Sequence, residues 1–326
     1  MNTNLTRKGN CSRVRLVVVM LATTVLLWSQ TGNLRAATIL VANRGAGMIG
    51  AYDSNTGATI SASLVTGLSN PSGLAVSGGN VFVTNMNTGV IGVYNALTGA
   101  VVNASLITGL NSPNGIVAYG GDLFVVQSAP NPVGIGLVPV VSRFTLSGAL
   151  VNTYFRAYGG AITGDYPWNL AVSGTDLYVS TGGGFFLAGV YKASLSGNGD
   201  TQQIFHPSGI AVSGGDVFIA DGNTLNVRKY DSALGLVNGS FITLQNNPDF
   251  GRYALAVDSG DLFVDDFTFG TIGKYNANTG ATINASLVTG ASGPIAVVPS
   301  NPVPEPTGVL LFWTGAAFLG LLRRRT

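Results

Sequence analysis

Glutamate, histidine and cysteine each occur once in this chain of 326 residues, and charged side chains make up only 9% of it. Soluble domains usually carry about 25%. The scarcity excludes several chemistries. A lone cysteine, Cys11, allows no internal disulfide and no cysteine metal cluster. It precedes an apolar run, whereas a lipoprotein cysteine follows one, so a lipid anchor is not expected there. There is no Gly-x-Ser-x-Gly elbow, zinc-type histidine motif or phosphate loop. Arginines crowd the two ends. Between residues 38 and 300 there are 8 Lys and Arg against 13 Asp, a net −5 with no basic stripe. Nucleic acid is therefore not an expected partner.

Glycine is abundant, at 46 residues, and recurs at fixed places among 46% hydrophobic residues. That pattern predicts many short strands and tight turns.

Both ends read as addresses. Residues 1–37 pass from a basic stretch through an apolar segment, Leu16 to Trp28, to the small pair Ala36 and Ala37. This is the layout of a secretory signal peptide, with an uncleaved anchor as the alternative. At the other end, Gly308 to Leu322 is uncharged. As a helix it would be about 22 Å long, short of the roughly 30 Å hydrocarbon core. Thr307 and snorkelling arginines make up part of the difference. Arg323, Arg324 and Arg325 should stay cytoplasmic, which places the body outside.

The tail, residues 301–326, joins Pro304, Glu305 and Pro306 to that apolar run and a terminal arginine cluster. It resembles the PEP-CTERM sorting tail of Gram-negative bacteria. The resemblance implies an exosortase, a membrane-embedded processing enzyme, as a partner that reads Pro304, Glu305 and Pro306. It also implies a transient single transmembrane helix and a final place at the cell surface or in the extracellular matrix. The prolines keep the segment extended, which a processing enzyme can grip. A plain membrane anchor is the alternative.

Residues 38–300 repeat. "GLAVSGGNVFV" (73–83), "GIVAYGGDLFV" (115–125), "NLAVSGTDLYV" (169–179), "GIAVSGGDVFI" (209–219) and "ALAVDSGDLFV" (254–264) each read as two strands joined by a glycine turn. A third phrase carries one aromatic residue: Tyr52, Tyr94, Phe144, Tyr191, Tyr230 or Tyr275. A fourth closes most units, as in "ATISASLVTGL" (58–68). Four strands in roughly 40–45 residues are the size of a propeller blade. "TILVANR" at the front is equivalent to a second strand and "PIAVV" (294–298) to a first. The expected fold is therefore an all-β, six-bladed β-propeller. Its ring closes between N- and C-terminal strands, flanked by the signal peptide and the transmembrane helix. An open solenoid is the alternative.

The unit resembles NHL-type propeller repeats. The arginine common after the second strand in that family is mostly absent, with Arg228 alone in a comparable region. The fold also resembles gluconolactonase-type lactonases, but these use a metal-binding glutamate and residues 38–300 contain none.

Two sets of positions are candidates for chemistry. Asn43, Asn85, Gln127, Thr181, Asp221 and Asp266 follow the second strands. Such a ring of oxygens would suit calcium or sugar hydroxyls, and turn capping is the plainer reading. No other cofactor is expected. The second set precedes the first strands: Asn114, Asp165, Tyr166, Trp168, His206, Asp249 and Arg252. Asp165 and His206 would permit acid–base chemistry if they met. Tyr166 and Trp168 could stack on a sugar face, with Asn114, Asp249 and Arg252 as polar contacts. Loop packing is the plainer reading for each. The triplets at Asn103, Asn238 and Asn284 fit glycosylation sequons, which the repeat itself also explains. The expected function is an exported binding or matrix protein associated with extracellular polysaccharide. A propeller enzyme of lactonase, lyase or hydrolase type, or a purely structural matrix component, are the alternatives.

Overall fold

A computed structural model describes residues 36–130, 137–155, 166–182, 189–195, 201–202, 207–222, 224–244 and 253–300. The predicted signal peptide up to Arg35 and the sorting tail lie outside the described residues. No helix among them is long and apolar enough to cross a membrane.

The described residues form six four-stranded antiparallel sheets. Blade 1 holds β1 (Thr38–Asn43), β2 (Met48–Asp53) and β3 (Thr59–Val65). Blade 2 is β4 (Pro71–Ser77), β5 (Asn80–Asn85), β6 (Val90–Asn95) and β7 (Val101–Ile107). Blade 3 is β8 (Ile116–Tyr119), β9 (Asp122–Pro130), β10 (Leu137–Thr145) and β11 (Leu150–Phe155). Blade 4 is β12 (Tyr166–Ser173), β13 (Asp176–Gly182), β14 (Gly189–Ser194) and β15 (Thr201–Gln202). Blade 5 is β16 (Pro207–Ser213), β17 (Asp216–Asp221), β18 (Asn226–Tyr230) and β19 (Leu236–Thr243). Blade 6 is β20 (Tyr253–Asp258), β21 (Asp261–Asp266), β22 (Thr271–Asn276) and β23 (Thr282–Thr289).

The last strand, β24 (Ile295–Val298), becomes the inner strand of blade 1 by pairing with β1, Thr38 opposite Val298 and Val41 opposite Ile295. The ring is thus closed by the two ends of the body, as the repeat phase predicts. Closure leaves no blade with a missing strand and removes an edge that would otherwise template association.

Each blade is covered on both faces by its neighbours, so its second strand reads as a continuous apolar run. In β5, Val81 and Val83 join the core shared with blade 1, and Phe82 joins the core shared with blade 3. The hairpin turns use the predicted glycines. Gly78 and Gly79 have φ of 55° and 78°, and Ser259 and Gly260 have 49° and 87°. Two consecutive positive φ values match the right-handed twist of the strands.

In blades 1, 2 and 6 the aromatic residue of the third strand, Tyr52, Tyr94 or Tyr275, lies against the glycine two positions earlier. A Cβ on Gly92 would come 2.9 Å from the Tyr94 ring, and one on Gly273 would come 2.7 Å from the Tyr275 ring. Much of the scarce charge is used in a repeated pair between the second and third strands, its cation next in sequence to the third-strand aromatic. Asp122 bonds Arg143, and Asp176, Asp216 and Asp261 meet Lys192, Lys229 and Lys274 at 2.9, 2.7 and 2.8 Å. Each cation lies 5.7–5.9 Å from the ring centre of Phe124, Tyr178, Phe218 or Phe263. These charges belong to the scaffold.

Candidate channel-mouth site

The inner strands β4, β8, β12, β16, β20 and β24 each pair on one side only, with their own second strand. Their free edges surround a central cavity of about 420 Å³. Consecutive residues line it, such as Leu74, Ala75 and Val76 or Leu170, Ala171 and Val172. Lining by neighbours in sequence means the strands present their edges, and hence backbone N–H and C=O groups, to the space. A buried backbone group needs a partner, so this wall favours water or a ligand rich in hydroxyls.

At the mouth, pairing places Ser72, Asn114, Trp168, Ser208, Tyr253 and Gly293 in one equivalent register, just before or at the start of each inner strand. Four of these positions, Ser72, Trp168, Ser208 and Tyr253, line the cavity, and Arg44 and Phe267 complete the rim. Arg44 follows β1 and lies across the opening. It donates from Nη2 to the Ser72 carbonyl at 3.3 Å and to Asn114 Oδ1 at 3.4 Å, and its guanidinium sits 5.8 Å from the Phe267 ring centre. One side chain from blade 1 thereby touches blades 2, 3 and 6. Ser72 also donates to the Pro113 carbonyl at 2.7 Å, and Thr84 Oγ1 to the Asn114 carbonyl at 2.7 Å, which fixes blade 2 to blade 3 beneath it.

The architecture is shared with solved proteins. A nidogen/laminin complex structure matches with a TM-score of 0.64 at 14% identity, covering 82% of this chain and all of that one. A catalytically inactive virginiamycin B lyase from Staphylococcus aureus, solved with quinupristin, matches at 0.55 and 14%, covering 82% and 94%. Apo AztD from Citrobacter koseri matches at 0.53 and 13%, covering 81% and 98%. At such identities the structural likeness shows a shared propeller fold. No known protein family and no curated protein matches the chain.

The first predicted ring is engaged in local turns and, at Asn85 and Gln127, in bonds to the loop before the inner strand. Asn43 Oδ1 accepts the Ala46 N–H at 3.0 Å, and Asn85 Oδ1 accepts the Ser69 N–H at 2.9 Å. Gln127 Oε1 accepts from Asn111 N–H at 3.2 Å, and Thr181 Oγ1 from Gly189 N–H at 3.2 Å. Asp221 accepts from Thr224 N–H and pairs with Arg228 at 2.9 Å. Asp266 accepts from Thr268 and Phe269. Burial raises the Asp266 carboxyl above its usual range, against the opposing effect of those two N–H groups. No three His, Cys, Asp or Glu residues gather among the described residues.

Of the second set, Trp168 reaches the mouth, and Asn114 is buried behind it as a support for Arg44. Tyr166 begins β12. Asp165, His206, Asp249 and Arg252 lie outside the described residues. The reading of Arg228 as the lone arginine in a comparable place is corrected: Arg44 directly follows the second strand of its blade. Arg44, Tyr253 and Phe267 were not singled out from sequence. A signal existed, because Arg44 shares its register with Met86, Ser128 and Phe267 and is the charged member of that set.

Proposed function

We propose that this chain is an exported, surface-sorted propeller that binds extracellular polysaccharide at the Arg44–Trp168 mouth of its central channel. The observation that carries the reading is an aromatic and amide-edged opening above a wall of strand edges. Aromatic faces accept the C–H face of a sugar ring, and backbone donors and acceptors suit its hydroxyls. The pairing of Thr38 with Val298 supports presentation at a surface. It brings residues 36 and 300 together at the end of the channel away from Arg44 and Pro294. In this reading the Pro304–Glu305–Pro306 tail is processed by an exosortase-type enzyme, and calcium is a test condition.

A second reading is an enzyme at the same mouth. Asp165 and His206 directly precede β12 and β16, the inner strands of adjacent blades. That adjacency is what favours it.

Residues 38–300 screened on a glycan array, with and without calcium, test the binding reading. Specific sugar binding that Trp168→Ala abolishes without lowering the unfolding temperature is the expected result. Absence of binding to every glycan in both conditions overturns it, and activity assays of His206→Ala then become the informative measurement.

A further inference from the structure

The three sequons of residues 38–300 occupy one structural position. Asn103, Asn238 and Asn284 lie on the outer strands β7, β19 and β23, opposite Val93, Lys229 and Lys274 at the equivalent point of the third strand. Each pairing breaks register there, and each asparagine is exposed. Each Oδ1 accepts the backbone N–H of the serine two residues on, at 3.0, 2.9 and 3.0 Å for Ser105, Ser240 and Ser286. That bond accounts for an asparagine in the bulge. It uses neither the Nδ2 amide nor the serine hydroxyl, and both make no hydrogen bond among the described residues. Blade 1 has Ser61 at this register, and blade 3 has Asn152 followed by Tyr154 where the hydroxyl would stand. The bulge therefore does not require the full triplet.

A second observation concerns what surrounds these sites. The outer strands are sheet edges, and β7, β19 and β23 contain no charged residue and no proline. Edge strands are usually protected by such residues, in addition to bulges. The residues just before the asparagines, Val101, Val102, Leu236, Val237 and Ile283, are between 53% and 66% exposed. An uncharged aliphatic edge invites association with another edge.

We propose that Asn103, Asn238 and Asn284 are N-glycosylation sites whose saccharides cover the outer rims of blades 2, 5 and 6. The donor class is a polyprenyl-pyrophosphate-linked saccharide, used by a membrane oligosaccharyltransferase of the exporting cell. The asparagine Nδ2 attacks the anomeric carbon, and the new C–N bond replaces the C–O bond to pyrophosphate. The pyrophosphate leaves with the electron pair, and the amide proton passes to a base of the transferase. Bulky, hydrated saccharides next to the aliphatic pairs keep a second chain from reaching the edge.

The test is mass spectrometry of peptides from the protein recovered from the cells that natively make it. Saccharide mass increments on the peptides carrying Asn103, Asn238 and Asn284 are expected. Asn103→Gln removes the increment at that site alone. Ser105→Ala, which keeps the backbone donor and hence the bulge, removes it as well. Unmodified masses for all three peptides overturn the proposal, as does an increment that survives Ser105→Ala.

Discussion

Gly293 donates its N–H to the buried carboxyl of Asp265 at 2.9 Å, joining blade 6 to the loop that leads into the ring-closing strand. The two residues are tightly placed. Gly293 has φ of 151°, and a Cβ there would lie 1.8 Å from the Ala42 carbonyl oxygen. The second oxygen of Asp265, Oδ1, is buried with no hydrogen-bond partner among the described residues. In the equivalent register stand Ala42, Thr84, Val126, Ser180 and Ala220, so blade 6 alone closes the ring with a carboxyl.

Burial raises the Asp265 carboxyl well above the usual 3.8, the neighbouring charge of Asp266 adds to this, and the Gly293 N–H opposes it. The folded protein therefore holds this proton more tightly than the unfolded chain. The contribution to stability is present below 3.8 and is lost as pH rises through the folded value. Asp265→Asn removes the titration while placing a buried amide where Oδ1 finds no partner, at a cost of about 1–3 kcal/mol. The stability gap between wild type and variant should narrow as pH rises, measured by thermal unfolding from pH 4 to 8. A gap independent of pH would sink this account.

Blade-to-blade contacts should be more sensitive to a single methyl group than the hairpin turns. A Cβ on Gly99, at φ of 70°, would lie 1.9 Å from the Leu64 carbonyl oxygen on the neighbouring blade. Gly78, at φ of 55°, would meet nothing within 4 Å. Gly78→Ala should cost about 1 kcal/mol from backbone strain alone. Gly99→Ala should cost about 2–4 kcal/mol, because backbone must also move. Denaturant midpoints compare the two, and equal losses would refute the argument.

Lys274 should matter more than its counterpart Lys192. Lys274 is 8% exposed, pairs with Asp261, and also donates to the Ser54 carbonyl and Asn55 Oδ1 at 3.2 Å, linking blade 6 to blade 1. Lys192 is 27% exposed beside Asp176. Lys274→Met should cost about 2 kcal/mol, since the carbonyl of buried Ser54 and the half-buried Asp261 carboxylate are left behind. Lys192→Met should cost less than about 1 kcal/mol. Chemical denaturation of both variants tests the order.

Arg44→Met should loosen the mouth without unfolding the ring, losing about 1–2 kcal/mol from the contact with Phe267 and the bonds to Ser72 and Asn114. Arg44→Lys keeps a cation near the ring but not the planar fork, so its stability should fall between the two. Unfolding curves that place the lysine variant below the methionine variant would contradict this role.

The four-strand unit, the turn glycines and the phase of the repeat were legible because sheet buried on both sides leaves a local pattern. "VFV" followed by an aromatic phrase recurs whatever lies across the channel. The pairing of Thr38 with Val298 was legible too, since a repeat that starts at its second strand and stops after its first has one way to close. The candidate site was less legible. Trp168 was found because it breaks the glycine pattern of its own loop. Arg44 was missed because its partners, Ser72, Asn114 and Phe267, stand 28 to 223 residues away and no local pattern announces them.

The sequence by itself determined the blade, the number of blades and the closure, since each rests on short-range periodicity and on chain phase. Only the tertiary structure decided which side chains meet at the centre. A ring brings residues from every blade to one opening, and what they form there depends on reach and on the few polar atoms left unspent by their own turns. Asn43, Asn85 and Asp266 share a register but are held by backbone N–H groups of their own turn or, for Asn85, of the loop before β4, whereas Arg44, one residue further on, extends over the mouth.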